Sequence, residues 1–321
     1  MDDRAAPWWA VLPPAAGAAV MATGILSVGL HLVGLEAVSL VAFGLAWVLW
    51  LVLAGDVAAL FLSDRRGWEA RADTPPALTA VAATSVLGVR CSLLGWGPAG
   101  LVLLGIAAVA WMVLLPVVLR HLGHRMPGGA FLICVATEGL VVLSGALAPR
   151  YGDGFAWAGL VLFALGLVLY VDALVRFDFR QVVTGAGDQW VAGGALSVSA
   201  LGGAKLLATG VWTGGSGDVL RTVTLVLLVL SLLWYVVLLA AEAARPRPGY
   251  DVRRWATVFP MGMTAVACLS VATAAGTGWA APLGRVLLGI AAAAWLLTAY
   301  GLALRASSAG PARQTSSGRP V

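Results

Sequence analysis

Charge is scarce in this chain. Only 11% of its 321 residues are Asp, Glu, Lys or Arg, where a soluble domain carries about 25%. Lysine occurs once, at Lys205, and histidine three times, at His31, His121 and His124. The three cysteines, Cys91, Cys134 and Cys268, lie far apart, so neither a disulfide framework nor a metal-thiolate spacing follows. His121 and His124 show an HxxH spacing without a third ligand nearby, and read as solvated loop histidines. No GxSxG, HExxH, Walker A or dinucleotide fingerprint is present. These absences predict no catalytic centre, no metal site and no cofactor; an enzyme embedded in a membrane would need clustered His, Cys or carboxylates near one interface.

Apolar sequence is what the chain has. Hydrophobic residues make up 60% and mean hydropathy is +0.93. Runs of about 20 apolar residues recur from end to end, the length of a spanning helix. A membrane barrel would show strands of about 10 residues with alternation instead. The fold class is therefore an all-α polytopic membrane protein. Ten spans are predicted, at about 12–33, 37–62, 77–94, 99–119, 129–148, 155–175, 190–210, 221–241, 254–275 and 281–304, forming one transmembrane domain over 1–305. The opening MDDRAAPWW lacks the basic stretch of a cleavable signal, so the first run is expected to stay as a helix. The polar, Pro/Gly/Ser-rich stretch 306–321 is expected to be a disordered tail.

Short connections predict antiparallel hairpins, and their basic residues predict orientation. One side holds Arg4, Arg65, Arg66, Arg71, Arg120, Arg125, Arg176, Arg180, Arg245, Arg247, Arg253, Arg254, Arg305, Arg313 and Arg319, fifteen in all; the other holds Arg90, Arg150, Lys205, Arg221 and Arg285, which are five. This bias places both termini in the cytoplasm, with the cell membrane as location. It also accounts for the pI of 9.6 without a nucleic-acid partner. Trp8, Trp9, Trp68, Trp96, Trp190, Trp212, Trp255 and Trp279 fall near span ends, as interfacial anchors do.

Odd spans begin near 12, 77, 129, 190 and 254, a repeat of helix pairs with a period of about 60 residues. Two even spans share nearly one string, GIAAVAW at 105–111 and GIAAAAW at 289–295. Odd and even spans differ in kind. Span eight, TVTLVLLVLSLLWYVVLLAAE, is rich in Leu and Val and lacks Gly and Pro, which suits lipid. Span seven, WVAGGALSVSALGGAKLLATG, is rich in Gly, Ser and Thr, which suits close packing or a polar path. Pro13, Pro14, Pro75, Pro76, Pro127 and Pro260 all sit in or just before odd spans. The expected architecture is five inner helices around a pseudo-five-fold central pore, ringed by five outer ones; tight packing without a pore is the other reading. Pore-lining candidates are Thr23, Gly24 and Ser27 in span one, and Gly194, Ser197 and Lys205 in span seven.

Ionisable residues inside spans default to functional hypotheses. Glu138 lies nine residues past the start of span five, about 14 Å deep and near the midplane. It reads either as a proton-titrating or gating carboxylate or as a structural acceptor between helices. In an anion pore it is expected to be protonated, paired or turned aside. Lys205, in the outer third of span seven, is either an anion-attracting charge at the outer mouth or a snorkelling lysine; Gly194, Ser197 and Leu201 share its helical stripe. Asp56 and Asp172 lie nearer the cytoplasmic ends, where a carboxylate is expected to reach water. A transport protein for small anions fits these features, whereas a non-transporting sensor or scaffold would need soluble domains that the short connections do not supply.

Several stretches resemble a known family. AAGAAVMATGILSVG in span one, VATEGLVVLSGALA in span five, DQWVAGGALSVSALGG in span seven and PGYDVRRWATVFPMGM in span nine are similar, in order, to helices of the tellurite-resistance/dicarboxylate transporter family. That family includes bacterial tellurite-resistance channels, fungal malate and sulfite carriers and plant slow anion channels. The resemblance implies five helical hairpins around a pore, a homotrimer in the bilayer, and passage of C4-dicarboxylate, tellurite or small inorganic anions through a channel or by proton coupling. It implies that the phenylalanine before the proline of the ninth helix, Phe259, plugs the pore, with Pro260 bending the helix and Gly262 leaving room beside the ring. From the residues alone, Phe259 equally fits space-filling at a proline kink. Glu138 stands where relatives often carry a neutral polar residue, which makes a proton-coupled carrier the alternative.

Overall fold

The structure is a computed structural model describing residues 16–247 and 249–308. Trp8, Trp9, Pro13, Pro14 and the sequence from residue 309 onward lie outside the described residues. Among the described residues no β-strand occurs, only an isolated bridge between Met126 and Phe177.

Among the described residues, nine helical segments are long and apolar enough to cross a membrane. Of the first predicted span, α1 (Gly17–Leu32) covers 16 residues, about 24 Å at 1.5 Å per residue; predicted residues 12–15 lie outside the described residues. The other long helices are α2 (Glu36–Ser63), α4 (Thr79–Leu93), α5 (Gly97–His121), α6 (Leu132–Tyr151), α7 (Gly154–Arg176), α9 (Val191–Ala208), α10 (Gly214–Ala244), α11 (Trp255–Ala274) and α12 (Ala280–Ser308). Helix α12 runs into the stretch expected to be tail. Two short helices, α3 (Arg65–Ala72) and α8 (Gln181–Thr184), occupy connections where a polar sequence such as RRGWEARA carries no apolar periodicity to announce them.

Burial divides the long helices into two groups. The most apolar stretch of Gly128–Tyr151 is 94% buried and that of Glu36–Ser63 only 17%, although the second is the more hydrophobic. The helix richer in bulky aliphatic residues is therefore the more exposed of the two, as suits a lipid-facing position. Helices α1, α4, α6, α9 and α11 each contact the next, and α11 returns to α1. Each also packs against the long helix that follows it in sequence. Four of these inner helices are preceded by a 3-10 turn, at Pro75–Leu78, Gly128–Phe131, Asp188–Trp190 and Val252–Arg254. Pro75 and Pro76 open the first of these turns and Pro127 precedes the second, positions where a missing N–H costs nothing.

The repeated string has a structural cause. Trp111 Nε1 donates to Thr137 Oγ1 at 2.9 Å, and Trp295 Nε1 donates to Thr23 Oγ1 at 3.0 Å. Each tryptophan ends its string and reaches from a more exposed helix forward to the next buried one; Trp295 ties α12 back to α1. A third string, GLAWVLW at 44–50, does the same, with Trp50 Nε1 donating to Thr84 Oγ1 at 2.9 Å. All three threonines return their own proton to the carbonyl four residues earlier, so each hydroxyl is free to accept from an indole. At the other two seams no such bond forms among the described residues: Tyr170 meets the Phe131 ring at a tilt and Tyr235 meets Trp190 edge-on. Hydrogen bonds between membrane helices contribute about 1 kcal/mol. A double-mutant cycle of Trp111→Phe and Thr137→Val, read from reversible unfolding in mixed micelles, is expected to return a coupling of about that size; zero coupling would remove the tie.

Candidate functional site

One cavity lies at the centre of the inner helices and takes wall residues from all five of them. Ile25 and Val28 come from α1, Ser85, Val86 and Val89 from α4, Val135, Gly139 and Val142 from α6, Val198, Leu201 and Lys205 from α9, and Phe259, Met263, Val266 and Ser270 from α11. It is narrow, about 20 Å³, room for about one water molecule. Its polar side chains are Ser85, Ser270 and the ammonium of Lys205; no carboxylate borders it. Among the described residues nothing bonds to the Lys205 ammonium.

Phe259 is buried, with 2% of its surface exposed, and forms part of this wall. The path to that position begins at Asp251. Its carboxylate accepts from Arg253 N at 2.9 Å and from the Arg253 guanidinium at 2.8 Å, which holds the carboxyl below its ordinary range and caps the turn leading into α11. Arg254 donates to Glu242 of α10 at 2.6 Å. Helix α11 then continues through Pro260 without a break. A Cβ on Gly194 of α9 would stand 2.8 Å from Pro260 Cγ, so the proline ring seats against a residue with no side chain. Gly262 faces Ile25 of α1, 3.0 Å from a built Cβ. Ser197 Oγ and Thr264 Oγ1 are 2.8 Å apart, tying α9 to α11. Phe259, Pro260 and Gly262 thus point to the cavity, to α9 and to α1 in turn.

The other candidates distribute differently from their shared helical stripe. Gly194 and Ser197 turn toward α11 and stand outside the cavity wall, which α9 supplies through Val198, Leu201 and Lys205. Thr23 is engaged by Trp295, and Gly24 packs against Val86. Ser27 exchanges hydrogen bonds with Ser39 of α2, each hydroxyl donating to the other's carbonyl at 2.8 Å. Glu138 is fully buried and lies behind the wall. Its carboxylate packs against Gly166 of α7 and Gly202 of α9, where side chains would collide with it. Oε1 accepts from Ser199 Oγ at 3.0 Å, and Oε2 has no partner.

Asp56 is buried as well and takes Arg71 of α3 at 3.2 Å, a partner from a helix that polar sequence did not announce; Asp172 pairs with Arg176 at 2.9 Å. Arg90, counted by sequence as a charge of the outer side, is wholly buried. Its guanidinium donates to Ser27 Oγ at 3.2 Å, Ser39 Oγ at 3.0 Å and Glu36 Oε1 at 2.6 Å, and lies over the Phe43 ring. Glu36 also holds His31 through its other oxygen. The sequence signal was the phase of Arg90 on α4, which carries it to the face opposite Ser92 and toward α1.

A family model described as voltage-dependent anion channel matches residues 11–303, which contains every helix of the inner group. No curated protein matches the chain. Members of that family are membrane channels and transporters of anions rather than enzymes. A multi-pass helical chain whose central cavity holds one ammonium and no carboxylate accords with that match, and the protein belongs to the voltage-dependent anion channel family.

Proposed function

We propose that this protein is an anion channel of the cell membrane with ten spans in five hairpins and both termini in the cytoplasm, conducting through a pseudo-five-fold central pathway that Phe259 closes. The observation that carries the proposal is the composition of the cavity wall: apolar walls, two serine hydroxyls, one uncompensated ammonium and no acid. Such a wall repels cations and selects anions by diameter and by the cost of shedding water. Chloride, nitrate, tellurite and C4-dicarboxylates form the natural test panel, and a homotrimer is the assembly that the family resemblance supports. In planar bilayers under a salt gradient, the reversal potential should lie near that of the anion. A potential near that of the cation would overturn the proposal.

The proton-coupled alternative requires Glu138 to meet the transported ion. Its place behind the wall, against Gly166 and Gly202, supports a structural acceptor instead. Glu138→Gln should therefore leave anion uptake into proteoliposomes unchanged, and an imposed pH gradient should not drive it. Gradient-driven uptake that vanishes in Glu138→Gln would decide for the carrier.

A further inference from the structure

Resting on the conduit reading, we propose that Lys205 and Ser270 together form a binding site for a small monovalent inorganic anion, at the end of the cavity remote from Phe259. Both residues border the cavity from neighbouring helices, α9 and α11. Each lies late in its helix, Lys205 in Val191–Ala208 and Ser270 in Trp255–Ala274. Since Phe259 lies eleven residues before Ser270, about 16 Å separates their levels.

Two independent features point to a ligand. Several hydroxyls on the inner helices bond back to the carbonyl four residues earlier, as Thr23, Ser85, Thr137 and Thr264 do, and Ser27 and Thr257 donate to carbonyls outside their own helices. Ser270 does neither; its Oγ is buried and has no partner. A buried hydroxyl in a helix normally satisfies itself, so this donor is left for something else. Lys205 likewise bonds to nothing among the described residues, although it borders a cavity that no acid lines. A Cβ on Gly145 of α6 would stand 2.9 Å from Lys205 Cβ, so the lysine stem passes through a gap that only glycine leaves. The charged groups nearby do not neutralise it. Glu138 of α6 is turned toward α7, and Arg221 of α10 donates to the Ala275 carbonyl at 2.6 Å on the rim of α11, adding positive charge.

The cavity as a whole holds only about 20 Å³, so its Lys205 and Ser270 end has room for an ion of about a water's size at most. A dicarboxylate would leave its second charge against Val142 and Leu201, which also line the wall, and that is costly. The class is therefore a halide-like anion.

The test is chloride-35 linewidth in solutions of the full-length protein in detergent, which reports binding without conduction. Lys205→Met and Ser270→Ala should each raise the chloride concentration for half-maximal effect, Lys205→Met by about tenfold or more, while Lys205→Arg retains binding. Bromide should displace chloride and succinate should not. Wild-type linewidths in either Lys205→Met or Ser270→Ala overturn the site; if Lys205→Met fails to fold, Ser270→Ala decides alone. Anion-selective current with unchanged linewidth in Lys205→Met would remove the site and leave the channel. Cation-selective current with linewidth lost in the variants would remove the channel and leave the site.

Discussion

Phe259→Ala should raise anion flux on the order of tenfold, a barrier lowered by about 1.4 kcal/mol. The ring is 2% exposed and walls a cavity with room for little more than one water molecule. Truncating a side chain normally lets its surroundings relax partway into the gap. Here α11 is held on two sides, by Pro260 against Gly194 and by Gly262 against Ile25, and Thr264 ties it to Ser197. The backbone therefore stays in place, and the space vacated by the ring stays open to water and ions. Phe259→Leu, which keeps apolar bulk, should give an intermediate flux. Stopped-flow anion efflux from proteoliposomes, normalised to reconstituted protein, makes the measurement. Equal flux in wild type and Phe259→Ala would remove Phe259 as the gate and leave it as packing.

Glu36→Gln should destabilise the protein more than Arg90→Met, although Glu36 is the more exposed partner. Breaking a buried pair from the acid side leaves an uncompensated guanidinium, whereas replacing the buried cation by an apolar group of similar length removes the burden with it. Arg90 is fully enclosed between α1, α2 and α4, and Nη1 already lacks a partner. With Gln at 36, the amide still accepts from Nη2, but the charge that offsets the guanidinium is gone. Thermal melting in detergent should rank wild type, Arg90→Met and Glu36→Gln in falling order. The reverse order would mean that Glu36 contributes nothing to holding Arg90.

Sequence carried the helical class, the division into lipid-facing and protein-facing helices, and most helix ends. These follow from run length and from the contrast between Leu/Val-rich and Gly/Ser/Thr-rich spans, which are local properties. The rotation of each helix was not legible. Thr23, Ser27, Gly194 and Ser197 are small and weakly polar, and such residues serve a pathway and a helix contact equally well. The stripe through Gly194, Ser197, Leu201 and Lys205 is real on a wheel, but a wheel has no absolute direction; α9 turns Leu201 and Lys205 inward and spends Gly194 and Ser197 on α11. Arg90 was hidden for a different reason. Its partners Ser27, Ser39 and Glu36 come from sequence distances of 51 to 63 residues, and counting arginines by side cannot find a contact. The glycine-to-tryptophan string at 44–50 was present in the sequence, and recognising it as a third copy would have predicted the tie to Thr84.

The tryptophan ties are distributed unequally around the wall of the central cavity. Three seams are riveted from the outer shell, at Thr23, Thr84 and Thr137, and these fix α1, α4 and α6 as a rigid frame. Helices α9 and α11 are fastened to each other through Ser197 and Thr264; among the described residues no indole N–H bonds to them from behind, and α10 instead holds α11 at its two ends, through Glu242 to Arg254 and through Arg221 to the Ala275 carbonyl. They form a panel beside that frame, joined to it where Glu138 of α6 accepts from Ser199 of α9. Phe259, Lys205 and Ser270 all ride on these two helices, so in the proposed pathway the ring and the charge are carried by one fastened pair.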